Sequence, residues 1–186
     1  MARHLAVGVY DLPGDRAWTV GAAAGEHGLR RLRIHREHIS LDDWVASLDH
    51  PGRVRLGSGV LDDFWGELEM YMDGDLRRFR TPIDFSDQGT EFQRRVWRAL
   101  CRIPWGRTFS YAQLGRSAAC PLGARAVGQA NGKNPLPVLV PCHRVVAADG
   151  SLGGFTGGLE VKRWLLGLEG VTIIPEESGR LRRAGA

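Results

Sequence analysis

The first third of the chain alternates short apolar runs with turn formers. His4–Tyr10, Arg16–Ala23 and Leu29–His35 are separated by Pro13-Gly14-Asp15 and Gly25-Glu26-His27-Gly28. Runs bounded in this way predict the strands of a small antiparallel sheet. From Leu61 the period lengthens: Leu61, Phe64, Trp65, Leu68, Tyr71 and Met72 fall at helical spacing, and Asp73-Gly74 ends the helix. Pro82 and several turn formers between Arg80 and Gln88 predict a linker. The chain is thus read as an N-terminal α/β scaffold domain (1–80), a linker (81–90), a C-terminal domain (91–175) and a frayed polar tail (176–186).

Helix signals dominate the second half. Gly89-Thr90 offers a cap before Phe92, Val96, Trp97 and Leu100, and Ile103-Pro104-Trp105-Gly106 breaks that helix. Ser110-Tyr111-Ala112-Gln113 has the form of a capping box and opens a short helix to about Ser117. Pro121-Leu122-Gly123 then turns the chain into Ala124–Gly132, a helix rich in small residues. Two short helices joined by a tight turn suggest a helix-turn-helix, although any αα-hairpin has the same pattern. Val138-Leu139-Val140 reads as a short apolar strand leading to Pro141-Cys142-His143-Arg144. A turn at Asp149-Gly150, a glycine-rich loop at 153–158, a helix over Leu159–Leu168 and a brief strand over Val171–Ile174 complete the pattern. The fold class is α/β (α+β).

Composition sharpens this picture. With 186 residues, 43% of them hydrophobic, the chain can bury a sizeable core. No apolar run approaches the ~18 residues that a membrane span needs. The N-terminus lacks the long apolar stretch of a secretory signal, and three widely spaced cysteines argue against a disulfide framework, so a reducing cytoplasm is expected. Charge is unevenly spread, with a balance of −4 over residues 1–87 and +8 over 88–186. A basic folded half reads equally as a polyanion-binding face and as an idle basic surface.

The chemistry concentrates near Cys142. A cysteine nucleophile needs a base or positive surroundings to form its thiolate. His143 can take the proton directly or through water, and a carboxylate can hold that histidine in one tautomer. Neighbours on a strand face opposite ways, so the two cooperate only if the chain turns at Cys142. Glu169, at a helix C-terminus where the macrodipole disfavours an acid, needs a donor, and His143 is a candidate. Cys101 and Cys120 read as small core residues. The histidines and cysteines show no metal-ligand spacing.

Pro141-Cys142-His143-Arg144-Val145-Val146 follows Asn134-Pro135 and precedes Gly153-Gly154-Phe155-Thr156-Gly157-Gly158-Leu159 and Lys162. Upstream stand Gly89-Thr90-Glu91-Phe92-Gln93, Val96-Trp97, Ile103-Pro104-Trp105-Gly106 and Ser110-Tyr111. In these motifs the chain resembles the methylated-DNA–protein-cysteine methyltransferases, or O6-alkylguanine-DNA alkyltransferases, across roughly residues 60–174. The resemblance implies an RNase H-like N-terminal domain and a winged-helix-like C-terminal one. It implies transfer of an alkyl group from flipped O6-alkylguanine, and from O4-alkylthymine, to Cys142 in a single turnover, without a cofactor. His143 would act on the sulfur through water and Glu169 would orient His143. Asn134 would brace the turn, Tyr111 would donate to the purine, and Lys162 would support the site electrostatically. The Thr156 N–H would meet the guanine oxygen, and the Cys142 and Val145 carbonyls would accept from the exocyclic amine, with Phe155 and Gly157 completing the pocket. Phe155 stands where some members carry Tyr, so no hydroxyl role transfers to it. Arg125 would enter the base stack from a minor-groove helix in which Ala124, Ala126 and Gly128 allow close approach. The implied partner is double-stranded DNA with alkylated bases, bound by a monomer. A non-reacting damage sensor and a Cys-His-Glu hydrolase are the competing readings, separated by whether label from O6-methylguanine reaches Cys142.

Overall fold

A computed structural model of the chain describes residues 4–13, 16–48, 53–57, 59–120, 123–175 and 181–183. It divides into two compact units, Met1–Ser86 and Asp87–Ala186.

In the first unit, strands β1 (His4–Asp11), β2 (Thr19–Gly25) and β3 (Gly28–His35) form the antiparallel meander that the apolar alternation predicts. Helix α1 (Leu41–Ala46) leads to β4 (Arg53–Leu56), which pairs parallel with β1. The sheet, in the order β3-β2-β1-β4, is therefore mixed and not wholly antiparallel. Neither α1 nor β4 was legible, because each is short and bounded by polar residues. Ser40 caps α1 by accepting from the Asp43 N–H. Trp44 of α1 anchors the helix, donating from Nε1 to the Ala22 carbonyl at 3.0 Å. Gly21 permits that approach, since a Cβ there would stand 2.5 Å from the indole. Helix α2 (Val60–Met72) buries Leu61, Phe64, Leu68 and Tyr71, the stripe its period predicts.

The expected linker is partly structural. Leu29 N–H donates to the Pro82 carbonyl and Asp84 N–H to the Leu29 carbonyl, so residues 82–84 extend the open edge of β3. The edge strand's unpaired backbone groups outweigh the turn-forming composition.

The second unit is mainly helical. Helix α3 (Glu91–Leu100) starts at Thr90 and α4 (Tyr111–Ser117) at Ser110, each with a full capping box to Gln93 and Gln113 respectively. Helix α5 (Ala124–Gly132) packs against both, and Trp97 Nε1 donates to the Ala130 carbonyl at 2.9 Å. Pro121 and Leu122 of the expected inter-helix turn lie outside the described residues. Strand β5 (Phe109–Ser110) pairs parallel with β6 (Val145–Val146), and helix α6 (Leu159–Leu168) follows the glycine-rich loop.

Three expectations change here. Val138–Val140 is not a strand but a run of buried tight turns, with Val138 at φ +74°. Three apolar residues with no neighbouring strand to pair with gain more from burial than from extension. The terminal strand β7 spans Ile173–Pro175 and pairs with β8 (Leu181–Arg183), a segment expected to fray. The rest of that tail, 176–180 and 184–186, lies outside the described residues. Cys120 is buried as expected, but Cys101 is exposed at the C-cap of α3.

Candidate active site

The parallel pairing of β5 with β6 sets Phe109 beside Val145 and Ser110 beside Val146. Tyr111 opens α4 directly after β5, and Cys142–Arg144 form a 3₁₀ turn directly before β6. Two segments some thirty residues apart in sequence are thereby brought to one site. The turn answers the facing problem: Cys142 and His143 need not point to opposite sides, because neither is in a strand.

Asn134 holds the approach to that turn. Its Nδ2 donates to the Val140 carbonyl at 2.8 Å, and its Oδ1 accepts from the Leu136 N–H at 3.0 Å. One buried carboxamide thus satisfies two backbone groups that an irregular buried segment would otherwise leave unpaired. The same side chain hydrogen-bonds the Cys142 sulfur.

His143 and Glu169 meet with both side chains wholly buried, Nε2 to Oε1 at 2.9 Å. Glu169 is the C-cap of α6, and its compensating donors are His143 and Arg144. Arg144 donates through Nε and Nη2 to the carboxylate at 2.8–3.1 Å, and through Nη1 to the Ile103 carbonyl at 2.6 Å. Burial alone would raise the Glu169 carboxyl, but the hydrogen bonds and charges of His143 and Arg144 bring it down to about 2. A carboxylate accepting from Nε2 leaves the imidazole proton on Nε2 and a lone pair on Nδ1. Nδ1 is buried with no hydrogen-bond partner among the described residues. Burial pulls the His143 imidazole below its ordinary range, which its bond to Glu169 offsets only in part.

The resting sulfur is a thiol. Burial pushes Cys142 up to about 11, against the opposing effects of Asn134, the Lys162 charge and backbone N–H groups. Lys162 is buried in α6 and donates from Nζ to the Val145 carbonyl at 2.6 Å and to the Leu152 carbonyl. Its burial lowers the ammonium to about 8. Burial, and then the Cys142 charge, raise the Tyr111 phenol above its usual range.

A cavity of about 390 Å³ is lined by Tyr111, Gly128, Cys142, Phe155 and Thr156, five of the residues expected here, together with Asn131, Gly132 and Gly154. The Phe155 ring stands edge-on to His143, and Thr156 Oγ1 donates to the Gly132 carbonyl at 3.1 Å, tying the glycine-rich loop to α5. Gly153 at φ +62° gives Tyr111 its room, because a Cβ there would stand 2.9 Å from the phenol oxygen. Val145 and Gly157 are not among the lining residues. Ala124 and Arg125 are exposed at the start of α5, and Ala126 is half-buried. No group of three or more His, Cys, Asp or Glu among the described residues could hold a metal ion.

Sequence reasoning missed Arg144, Gly153 and Asn131. Arg144 stood within the Pro-Cys-His-Arg string without a role. Asn131 had a detectable signal: with Val127 and Ala130 it lies on the buried stripe of α5, where a polar residue is out of place.

Known proteins resemble this chain in sequence and in fold. The family model described as 6-O-methylguanine DNA methyltransferase, DNA binding domain, matches residues 91–171. A methylated-DNA–protein-cysteine methyltransferase of Methanosarcina barkeri is 45% identical over 163 residues, 86% of this chain and 96% of that protein. One from Methanosarcina mazei is 39% identical over 150 residues, 79% of this chain and 87% of the relative. The crystal structure of Mycobacterium tuberculosis OGT in complex with DNA is similar at a TM-score of 0.69 and 34% identity, covering 89% of this chain and 92% of that one.

Proposed function

The chain belongs to the methylated-DNA–protein-cysteine methyltransferase family, and from that premise we propose how its residues carry out direct-reversal DNA repair. The substrate is duplex DNA in which a guanine carries an alkyl group on O6; O4-alkylthymine is taken by the same chemistry. The lesion is hidden in the base stack, so the base is turned out of the duplex, at a cost of a few kcal/mol. Arg125, exposed near the start of α5, fills the vacated space from the minor groove, and the small residues Ala124, Ala126 and Gly128 let the helix approach closely.

In the cavity the Cys142 sulfur attacks the alkyl carbon. A carbon–sulfur bond forms and the carbon–O6 bond breaks, its electron pair passing to the purine. The thiol proton moves through water to His143 Nδ1, and Glu169 stabilises the imidazolium that results. Tyr111 donates its phenol proton toward the departing guanine, the Thr156 N–H meets the purine oxygen, and the Cys142 and Val145 carbonyls accept from the exocyclic amine. Asn134 braces the turn, Lys162 supports it with positive charge, and Phe155 and Gly157 shape the loop. The thioether is stable and nothing beside it offers a way to cleave it, so each molecule turns over once without an external donor or cofactor.

The observation that carries this reading is His143 Nδ1, buried without a hydrogen-bond partner among the described residues and oriented by Glu169, one residue after the buried thiol of Cys142 in the same 3₁₀ turn. The protein acts as a monomer. Three free cysteines, and the absence among the described residues of any helix long and apolar enough to cross a membrane, are consistent with the cytoplasm as its compartment. Incubation with a duplex carrying labelled O6-methylguanine, followed by intact-mass and peptide mapping, tests the proposal. One label per molecule on Cys142 is expected, and Cys142→Ala should bind DNA without accepting label. Repaired DNA accumulating well beyond one equivalent, or label on the Cys142→Ala protein, would overturn it.

A further inference from the structure

The loop over residues 153–158 holds four glycines and only two side chains beyond Cα, Phe155 and Thr156. Gly153 and Gly158 sit at φ +62° and +92°, and a Cβ on Gly154 would meet nothing within 4 Å. Glycine backbone loses the most freedom on ordering, so such a loop depends on its few anchors. At its ends the Leu152 carbonyl accepts from Lys162 Nζ, and the Gly158 N–H donates to the Phe155 carbonyl at 3.0 Å. The Phe155 ring stands edge-on to His143, with centroids 6.5 Å apart. Thr156 Oγ1 reaches the Gly132 carbonyl at 3.1 Å. Gly132 closes α5, and the last four carbonyls of a helix have no partner within it, so the hydroxyl meets an acceptor that the helix leaves open. Gly132, Thr156 and Cys142 all line the one cavity.

We propose that the Thr156 hydroxyl is a positioning group: by fastening the glycine-rich loop to the end of α5, it holds the Thr156 N–H where the oxygen of the extruded purine arrives. The inference rests on the function proposed above. Arg125 stands near the start of the same helix, so α5 joins the side chain that enters the base stack to the loop that receives the base. A loop released from Gly132 has to be ordered again in each encounter, and a donor displaced by about 1 Å from the developing charge loses much of its effect on rate. The consequence falls on the transfer step and not on the hold on DNA, because the hydroxyl is engaged with the protein's own backbone.

The test compares the full-length protein with Thr156→Val, which keeps the branched shape and the backbone N–H but not the donor, and with Thr156→Ser, which keeps the donor. Thr156 is exposed, so neither substitution disturbs the core. Three quantities are measured: single-turnover methyl transfer at saturating duplex carrying O6-methylguanine, affinity for that duplex, and amide hydrogen exchange over residues 153–158. Thr156→Val should transfer about fivefold more slowly at saturation, the worth of one hydrogen bond, with affinity within about twofold of the wild-type value and faster exchange in the loop. Thr156→Ser should stay within about twofold of the wild-type protein in rate and affinity and keep the loop's protection. An unchanged rate in Thr156→Val would overturn the inference. Equal slowing of Val and Ser variants would do so as well, by assigning the side chain to packing. Weaker affinity with an unchanged saturated rate would make the hydroxyl a DNA contact and overturn it too. Absence of transfer to the wild-type protein would instead overturn the function on which the inference rests.

Discussion

The Glu169 carboxylate accepts the Nε2 proton of His143 at 2.9 Å, in a contact from which both side chains exclude solvent completely. Arg144 binds the same carboxylate, sharing Oε1 with His143 and also reaching Oε2, so one buried acid serves two cations or near-cations. Removing one partner of such a set costs more than the set contributes net, because the remaining charge stays buried.

Glu169→Gln should therefore lose about 3–5 kcal/mol of stability through the uncompensated Arg144. It should also slow transfer, because His143 loses the charge that stabilises its protonated form. Urea denaturation and single-turnover kinetics measure the two effects separately. Unchanged stability would remove the argument for the Arg144–Glu169 pair.

The same carboxyl sets an acid limit. Its folded value of about 2 lies below its ordinary 4.5, so the unfolded chain binds the proton more readily. Stability from this group is full above about pH 4.5 and is lost as pH falls toward 2, on the order of 3 kcal/mol over the window. The stability gap between the wild-type protein and Glu169→Gln, followed from pH 6 to pH 3, should narrow as the solution becomes more acidic. A constant gap would contradict the assignment.

Cys142, held near 11, should be a poor target for soluble electrophiles. At pH 7 only ~10⁻⁴ of it is thiolate, so iodoacetamide should react at Cys101 first, and the Cys142 rate should rise about tenfold per pH unit up to about 11. Peptide mapping over a pH series distinguishes the sites. Fast labelling of Cys142 at pH 7 in the absence of DNA would show that the thiolate is already formed.

Gly153→Ala puts a methyl group 2.9 Å from the Tyr111 phenol oxygen, at a φ of +62° that alanine tolerates poorly. Backbone strain of about 1–2 kcal/mol and a displaced phenol are expected, with transfer slowed on the order of tenfold to a hundredfold. Tyr111→Phe should slow transfer in the same direction without the stability loss, and the pair of variants separates strain from chemistry.

Arg125→Ala should chiefly slow capture of the extrahelical base, read from stopped-flow fluorescence of a duplex with 2-aminopurine beside the lesion. If Arg125 only neutralised a phosphate, the variant would instead lower the slope of log K against log salt by about 0.9 and bind all sequences equally more weakly.

The sequence by itself determined those elements whose information is local. The strand alternation of β1–β3, the α2 stripe at Leu61, Phe64, Leu68 and Tyr71, and the Thr90/Gln93 and Ser110/Gln113 capping boxes all arise from neighbours within one or two turns. The motif around Cys142 likewise offered a candidate nucleophile and base, and Glu169 as a partner for His143 followed from an acid badly placed at a helix end. Only the tertiary structure decided the rest. It turned 138–140 into a braced loop through Asn134, attached residues 82–84 to the edge of β3, and supplied Arg144 as the second donor to Glu169. It also buried Cys142, which raises its thiol, and set Asn131 in the lining of the same cavity. The physical reason is that desolvation and hydrogen-bond satisfaction depend on which distant groups exclude water from a given atom. No spacing rule along the chain records that.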